Sequence, residues 1–392
     1  MRSSDAAHVQ SLDGLRGIAI LLVMLFHFSG NGHGLTPSSL LVDRMFYRLT
    51  GAGWIGVDLF FVLSGFLITG ILLDARGIPF YFRNFYVRRA LRIFPLYYSA
   101  LVLLLIMPLM FPHGPAPHLS TRDAGWYLSY LSNVKMARAG WPSDTGLAHF
   151  WSLSVEEQFY LAWPVAVFAL SNRQLRVACV AAVVGALAVR TALTATGYTI
   201  APYVLMPARI DALAMGGFLA IAMREPRGLP DRVSRWPPIA AVTTGLGLLA
   251  VLLFREGLRP DDTAVLGVGL TLVAAFGASV VMLAVGNARA ARALSAPWLR
   301  FFGKYSYGMY IFHYPILFFG PGVVPIQMLP LVGGSQILRQ IAFTTCAMAA
   351  TTVLALVSWH LLEKRFLELK DRFPYERAIS GRHAHVSEPV IA

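Results

Sequence analysis

Charge and cysteine are what this sequence has least of. Of its 392 residues only 14% are Asp, Glu, Lys or Arg, against 56% hydrophobic, and the mean hydropathy is +0.60. So little charge cannot cover the surface of a soluble globular domain, which points to a membrane protein. Cysteine is nearly absent: Cys179 and Cys346 both lie in apolar runs without metal-type spacing, so packing is expected of them rather than a disulfide or zinc. Strict apolar–polar alternation is missing too, which argues against a β-barrel. No internal repeat, low-complexity tract or long soluble insertion interrupts the chain.

What is present in quantity is long hydrophobic runs. A hydrocarbon core of about 30 Å takes around 20 helical residues to cross. Such runs recur at roughly 15–31, 54–73, 93–111, 149–170, 175–196, 205–223, 237–254, 263–286, 304–320 and 337–361. The fold class expected is therefore an all-α integral membrane bundle of about ten helices, one domain over 1–371 with a polar, flexible tail at 372–392. No small-residue cleavage site follows the first run, which is read as a structural helix and not a signal peptide.

Charge sets the orientation. With the N-terminus inside, the inner segments hold 23 of the 33 Lys and Arg, and the outer ones hold seven: Arg44, Arg48, Arg122, Lys135, Arg138, Arg255 and Arg259. That bias places both termini in the cytoplasm. The net charge of +13 is then a topology signal with attraction to anionic lipid, and no argument for nucleic acid.

Ionisable groups inside a bilayer are costly, so the few that occur mark candidate sites. In "LRGIAILLVMLFHF" Arg16 and His27 are eleven residues apart, which puts them on one helix face about 16 Å apart along the axis. Arg16 is expected at the inner interface and His27 near the midplane. The plain alternative is a snorkelling Arg and a His that bridges two helices. "YFRNFYVRRALRIFPLYY", read as an inner loop leading into span three, carries Arg89 and Arg92 three apart, a spacing that presents two planar forks to one phosphate on a helix, or serves as a topology anchor.

"GVDLFFVLSGFLI" places Asp58 within span two, either beside the chemistry or paired with a buried Arg or His. Its glycines, Gly65 among them, suit close helix approach. "HFWSLSVEEQFYLAWP" places Glu156 and Glu157 about 11–12 Å into span four from outside, converging on the depth expected of His27, where at most one can face it. "KYSYGMYIFHYPI" brings His313 to a similar depth, and "WHLLEKRF" puts His360 and Glu363 on the inner rim. Arg209 and Asp211, near the outer end of span six, are candidate partners of each other or of other helices. Together these groups imply a polar cavity.

Five blocks in order, "SLDGLRGIAILLVMLFHF", "GVDLFFVLSGFLI", "RRALRIFPLYY", "WSLSVEEQFYL" and "SYGMYIFHYPI", resemble the bacterial membrane acyltransferase type 3 family over nearly the whole chain. The resemblance implies transfer of an acyl group, often acetyl, from cytoplasmic acyl-CoA to a hydroxyl of a sugar or related acceptor. The family's Arg/Lys-x10-His pattern falls on Arg16 and His27 and its Arg-x-x-Arg on Arg89 and Arg92. Its aspartate after Gly-Val matches Asp58, its Ser-x-Glu region runs from Ser154 to Glu157, and its late glutamate matches Glu363. The family often has an aromatic residue and a proline around that glutamate, where this chain has His360 and Arg365. The sequence reads as a stand-alone member without the fused hydrolase-like domain some members carry.

The residue chemistry fits this independently. His suits a general base near neutral pH, so His27 is the expected base, or else the group that itself carries the acyl. CoA phosphates call for Arg89 and Arg92, with Arg16 auxiliary. A glutamate of span four orients His27 or binds acceptor hydroxyls, Asp58 holds an arginine, and Ser154, His313 and Glu363 support. No metal and no permanently bound cofactor are expected; acyl-CoA is a substrate. The cell inner membrane is the expected location. A proton-coupled transporter or flippase would also need a polar midplane, and a non-catalytic assembly partner would not depend on His27.

Overall fold

The computed structural model describes residues 9–31, 39–110, 119–142, 146–224, 236–255, 257–323 and 331–375. Among these the protein is an all-α integral membrane bundle. In chain order its helices are α1 (Gln10–Phe26), α2 (Leu41–Thr50), α3 (Ile55–Asp74), α4 (Tyr81–Met110), α5 (Thr121–Leu128), α6 (Ser132–Ala139), α7 (Phe150–Ala169), α8 (Asn172–Ala195) and α9 (Ala201–Val204). They continue with α10 (Met206–Met223), α11 (Trp236–Phe254), α12 (Leu270–Gly286), α13 (Ala288–Leu294), α14 (Pro297–Lys304), α15 (Ser306–Val323), α16 (Ile337–Ser358) and α17 (Lys364–Glu368). π-Helical segments occupy His27–Asn31, Val265–Gly269 and Trp359–Glu363, and a 3₁₀ turn Leu369–Arg372 follows α17.

All ten expected spans are helical, and eight helices are long and apolar enough, by length and composition, to cross a membrane. The two that fall short are α7 and α15, whose apolar content is diluted by Glu156, Glu157, Gln158, His313 and several tyrosines. Polarity is thus concentrated in two helices of the interior.

Two boundaries move for physical reasons. α1 begins at Gln10 and not near residue 15, because Ser11–Gly14 are buried against neighbouring helices, with Ser11 Oγ donating to the Ala284 carbonyl at 2.8 Å. α4 begins at Tyr81 and not near residue 93: no proline or glycine interrupts Tyr81–Phe94, so the arginine stretch expected as a loop is the first turns of the helix. The outer segment 112–148 likewise contains α5 and α6. They are held by Tyr97 Oη donating to the Tyr127 carbonyl at 2.7 Å and by Gln158 Nε2 donating to Asn133 Oδ1 at 2.9 Å.

The centre is a close crossing of α3 and α10, with α8 on the far side of α10 and α1 on the other side of α3. A Cβ added at Gly65 would meet the Leu213 carbonyl oxygen at 1.9 Å, and one at Gly216 the Val62 oxygen at 2.0 Å, so only glycine permits this approach. Two buried ion pairs lock it. Arg209 Nη2 meets Asp58 Oδ1 at 2.8 Å, and Arg190 Nη2 meets Asp211 Oδ2 at 2.8 Å. Arg209 and Asp211 do not pair with each other, since residues two apart on a helix point to opposite sides.

On the inner side, the chain after α16 folds back on the start of α4. Arg88 Nη1 donates to the carbonyls of Lys370 (2.9 Å) and Phe373 (2.8 Å), and Asn84 Nδ2 to that of Pro374 (2.6 Å). Packing therefore continues past the expected boundary at 372. Residues 376–392 of the expected tail, and residues 1–8, lie outside the described residues.

Candidate active site

Five helices enclose one cavity with an empty volume of about 910 Å³, counting the space at its mouth. α1 contributes Arg16; α3 contributes Ser64 and apolar residues; α4 contributes Arg89 and Arg92; α7 contributes Ser152, Glu156, Glu157 and Tyr160; α15 contributes Ser306, Tyr307 and Tyr310. Residues from the first helix to the fifteenth, Arg16 to Tyr310, thus share one polar surface inside an apolar bundle. Arg16 Nη2 donates to Ser306 Oγ at 3.2 Å.

The arginines come together because α4 is helical through them. Arg89 and Arg92, one turn apart, turn to the same wall, as their spacing predicts. Arg89 lies 5.6 Å over the Tyr160 ring and has no hydrogen-bond partner among the described residues. Glu156 Oε1 accepts from Ser64 Oγ at 2.6 Å, and Glu157 Oε1 is buried without a partner. Three guanidinium groups thus face two carboxylates, and the wall keeps a net positive charge.

His27 does not line this cavity, and the glutamates do not meet it. Because α1 starts at Gln10, His27 lies seventeen residues along, roughly 25 Å, at the outer end of its span and not at the midplane. α7 runs inward from outside, so Glu156 and Glu157 descend past that depth to the level of the arginines. What meets His27 there is another histidine pair. The His27 and His313 ring centroids are 4.9 Å apart, and those of His313 and His149 are 4.8 Å apart.

His149, missed as a site residue in the sequence, is 3% exposed, and neither ring nitrogen has a hydrogen-bond partner among the described residues. Its signal was a histidine opening the same apolar helix that carries the glutamates. Tyr314 packs against both His27 (5.2 Å) and His149 (5.3 Å). Tyr310 joins the two regions: it lines the cavity, hydrogen-bonds with Ser152, donates to the His149 carbonyl at 3.2 Å and lies 5.2 Å from the His313 ring.

Backbone contacts set the tautomers. His27 Nδ1 lies 2.9 Å from the Val23 carbonyl and His313 Nδ1 lies 2.6 Å from that of Tyr310. A carbonyl only accepts, so each Nδ1 carries the proton and each Nε2 is left as the acceptor. His27 also opens a π-helical segment, and Glu363 closes another; such local widenings recur at functional sites.

Three other candidates stand outside the cavity. Asp58 faces Arg209, whose guanidinium is also packed against Phe61, Trp151 and Tyr203, so the aspartate secures the helix crossing. Ser154 turns to the other side of α7, where its hydroxyl meets that of Ser132 at 2.8 Å and fastens α6; Ser152 is the α7 serine at the cavity. Glu363 is 7% exposed, accepts from Ser358 Oγ at 2.9 Å and sits behind Gly308, close enough for its charge to act on Arg92.

Comparison with known proteins finds that residues 9–360 match a family model described as an acyltransferase domain. Among curated proteins, a putative peptidoglycan O-acetyltransferase of Bacillus subtilis is 28% identical over 377 residues, which cover 91% of this chain and 54% of that protein. A peptidoglycan O-acetyltransferase of Listeria monocytogenes is 27% identical, covering 91% of this chain and 55% of its own. An O-acetyltransferase of Staphylococcus aureus is 27% identical, covering 80% and 51%. The chain spans about half the length of these relatives.

Proposed function

Because this chain belongs to the membrane acyltransferase type 3 family, we propose that it is an O-acyltransferase that moves an acyl group, acetyl in the simplest case, from acyl-CoA to a hydroxyl of a carbohydrate. The relatives' described activity on peptidoglycan supports a carbohydrate acceptor and a bacterial cytoplasmic membrane as the location. The observation that carries the reading is the convergence of Arg16, Arg89 and Arg92 on one cavity, one layer of side chains away from His27. A net cationic wall in a nearly charge-free bundle suits a polyanionic donor, and the charge bias puts it on the cytoplasmic side, where acyl-CoA is found.

In this reading Arg89 and Arg92 grip the CoA phosphates, with Arg16 deeper. The pantetheine arm runs past Tyr310 towards the histidines. His27 takes the hydroxyl proton on Nε2, the acceptor oxygen attacks the thioester carbonyl, and the C–S bond breaks. The imidazolium then returns the proton to the departing thiolate. Tyr310, His313 and His149 hold the ring in place and wall it from lipid.

The test is a titration of the protein in lipid nanodiscs with labelled acetyl-CoA, beside the Arg89→Ala/Arg92→Ala variant. Saturable binding lost in the variant supports the reading. Absence of binding by a folded protein, with longer acyl-CoAs also tried, favours a carrier of glycans or small molecules.

A further inference from the structure

One charged side chain in the cavity is left without a role by the arginines and the histidines. Glu156 Oε1 accepts from Ser64 Oγ at 2.6 Å, whereas Oε1 of Glu157, the next residue, is buried with no hydrogen-bond partner among the described residues. Both glutamates line the cavity. The hydroxyls that share it with them are committed elsewhere. Tyr307 Oη donates to the Ile93 carbonyl at 2.7 Å, Tyr310 Oη is engaged with Ser152 and the His149 carbonyl, and Ser64 serves Glu156. A carboxylate oxygen held without a donor in an apolar bundle is costly unless something that enters the cavity supplies one.

α7 itself gives the depth at which that donor arrives. Its cavity face runs, from the outer side inward, through Ser152, Leu153, Glu156, Glu157 and Tyr160. Ser152 marks the histidine end, because it hydrogen-bonds Tyr310, whose ring lies 5.2 Å from that of His313. Tyr160 marks the arginine end, with the Arg89 guanidinium 5.6 Å over its ring. Glu157 lies about 7–8 Å along the axis from Ser152 and about 4–5 Å from Tyr160, so it stands between the two ends. In acyl-CoA the part between the phosphates and the thioester is the pantetheine, whose amide N–H groups and hydroxyl are the donors on that stretch; adenine lies on the far side of the phosphates. We propose that Glu157 binds the donor's arm, its Oε1 accepting from an amide N–H of the pantetheine and so holding the arm on the line from the arginines to His27. This deepens the acyl-CoA reading and rests on it.

The experiment compares, in lipid nanodiscs, binding of CoA and of adenosine 3′-phosphate 5′-diphosphate, the same head group without its pantetheine, to wild type, Glu157→Leu and Glu157→Gln. Glu157→Leu keeps the volume and removes a buried oxygen that has no partner, so folding is not put at risk. It is expected to weaken CoA by about tenfold, the order of one hydrogen bond to a charged group, and to leave the head group's binding unchanged. Glu157→Gln, whose amide oxygen still accepts, should keep most of the CoA affinity. A glutamate that merely offsets the arginines gives the opposite sign: its loss tightens both polyanions, and in the two variants alike. That result overturns the assignment, as does an equal weakening of both ligands or no change in either. If wild type binds neither ligand, it is the acyl-CoA reading that fails.

Discussion

His27 and His313 stand 4.9 Å apart between ring centroids, although one ends a helix that starts inside and the other lies seven residues into α15. Each has Nδ1 committed to a backbone carbonyl, so both rings present Nε2. The reactive end of the proposed site is therefore a preset pair of imidazoles, fixed in tautomer by their own helices.

Replacing His27 with Ala should lower transfer by about 10²–10⁴, the range of a lost general base, while the dissociation constant for acetyl-CoA stays unchanged. Single-turnover transfer beside a binding titration measures both. Weakened donor binding would make His27 a donor contact instead.

His149 separates stability from function. Its two buried, unpartnered nitrogens are costly to fold, so His149→Phe, which keeps an aromatic ring in the stack, should unfold at a higher temperature yet turn over more slowly. A variant that is stabilised and fully active would remove His149 from the site.

Asp58→Ala should destabilise the bundle by about 3–5 kcal/mol, because it leaves the Arg209 charge buried and uncompensated. Replacing both by apolar residues should recover much of the loss. Thermal unfolding in detergent reads this, and a single variant as stable as wild type but inactive would return Asp58 to the chemistry.

Two serines with different roles, Ser64 and Ser154, can be told apart by one comparison. Ser64→Ala removes the partner of Glu156 at the cavity and should alter transfer, whereas Ser154→Ala loses only its contact with Ser132, about 1 kcal/mol of stability. Initial rates on the two variants, normalised to folded protein, give the contrast; equal rates would argue against a role for Glu156.

The sequence by itself determined what local chemistry governs. Apolar runs of spanning length specify the helices, the lysine and arginine bias specifies their direction, and the three-residue spacing puts Arg89 and Arg92 on one face wherever the helix goes. It also marked Arg16, Asp58, Arg209, Asp211, His313 and Glu363, because in a bilayer interior such groups stand out, but not the equally buried Asp13, Asp43, Arg88, His149 and Arg190. Depth was harder. His27 and the glutamates were each placed from an estimated helix end, and a five-residue shift in the start of α1 moves a side chain by about 7 Å.

Only the tertiary structure decided which groups meet. That Asp58 faces Arg209, that Ser154 turns to α6 while Ser152 turns to the cavity, that His313 bridges His27 and His149, and that the chain after α17 comes back to Arg88 all depend on helix rotation and crossing. Those are set by contacts such as Gly65 against Leu213, between residues far apart in the chain, and no local pattern encodes a contact whose two halves are about 150 residues apart.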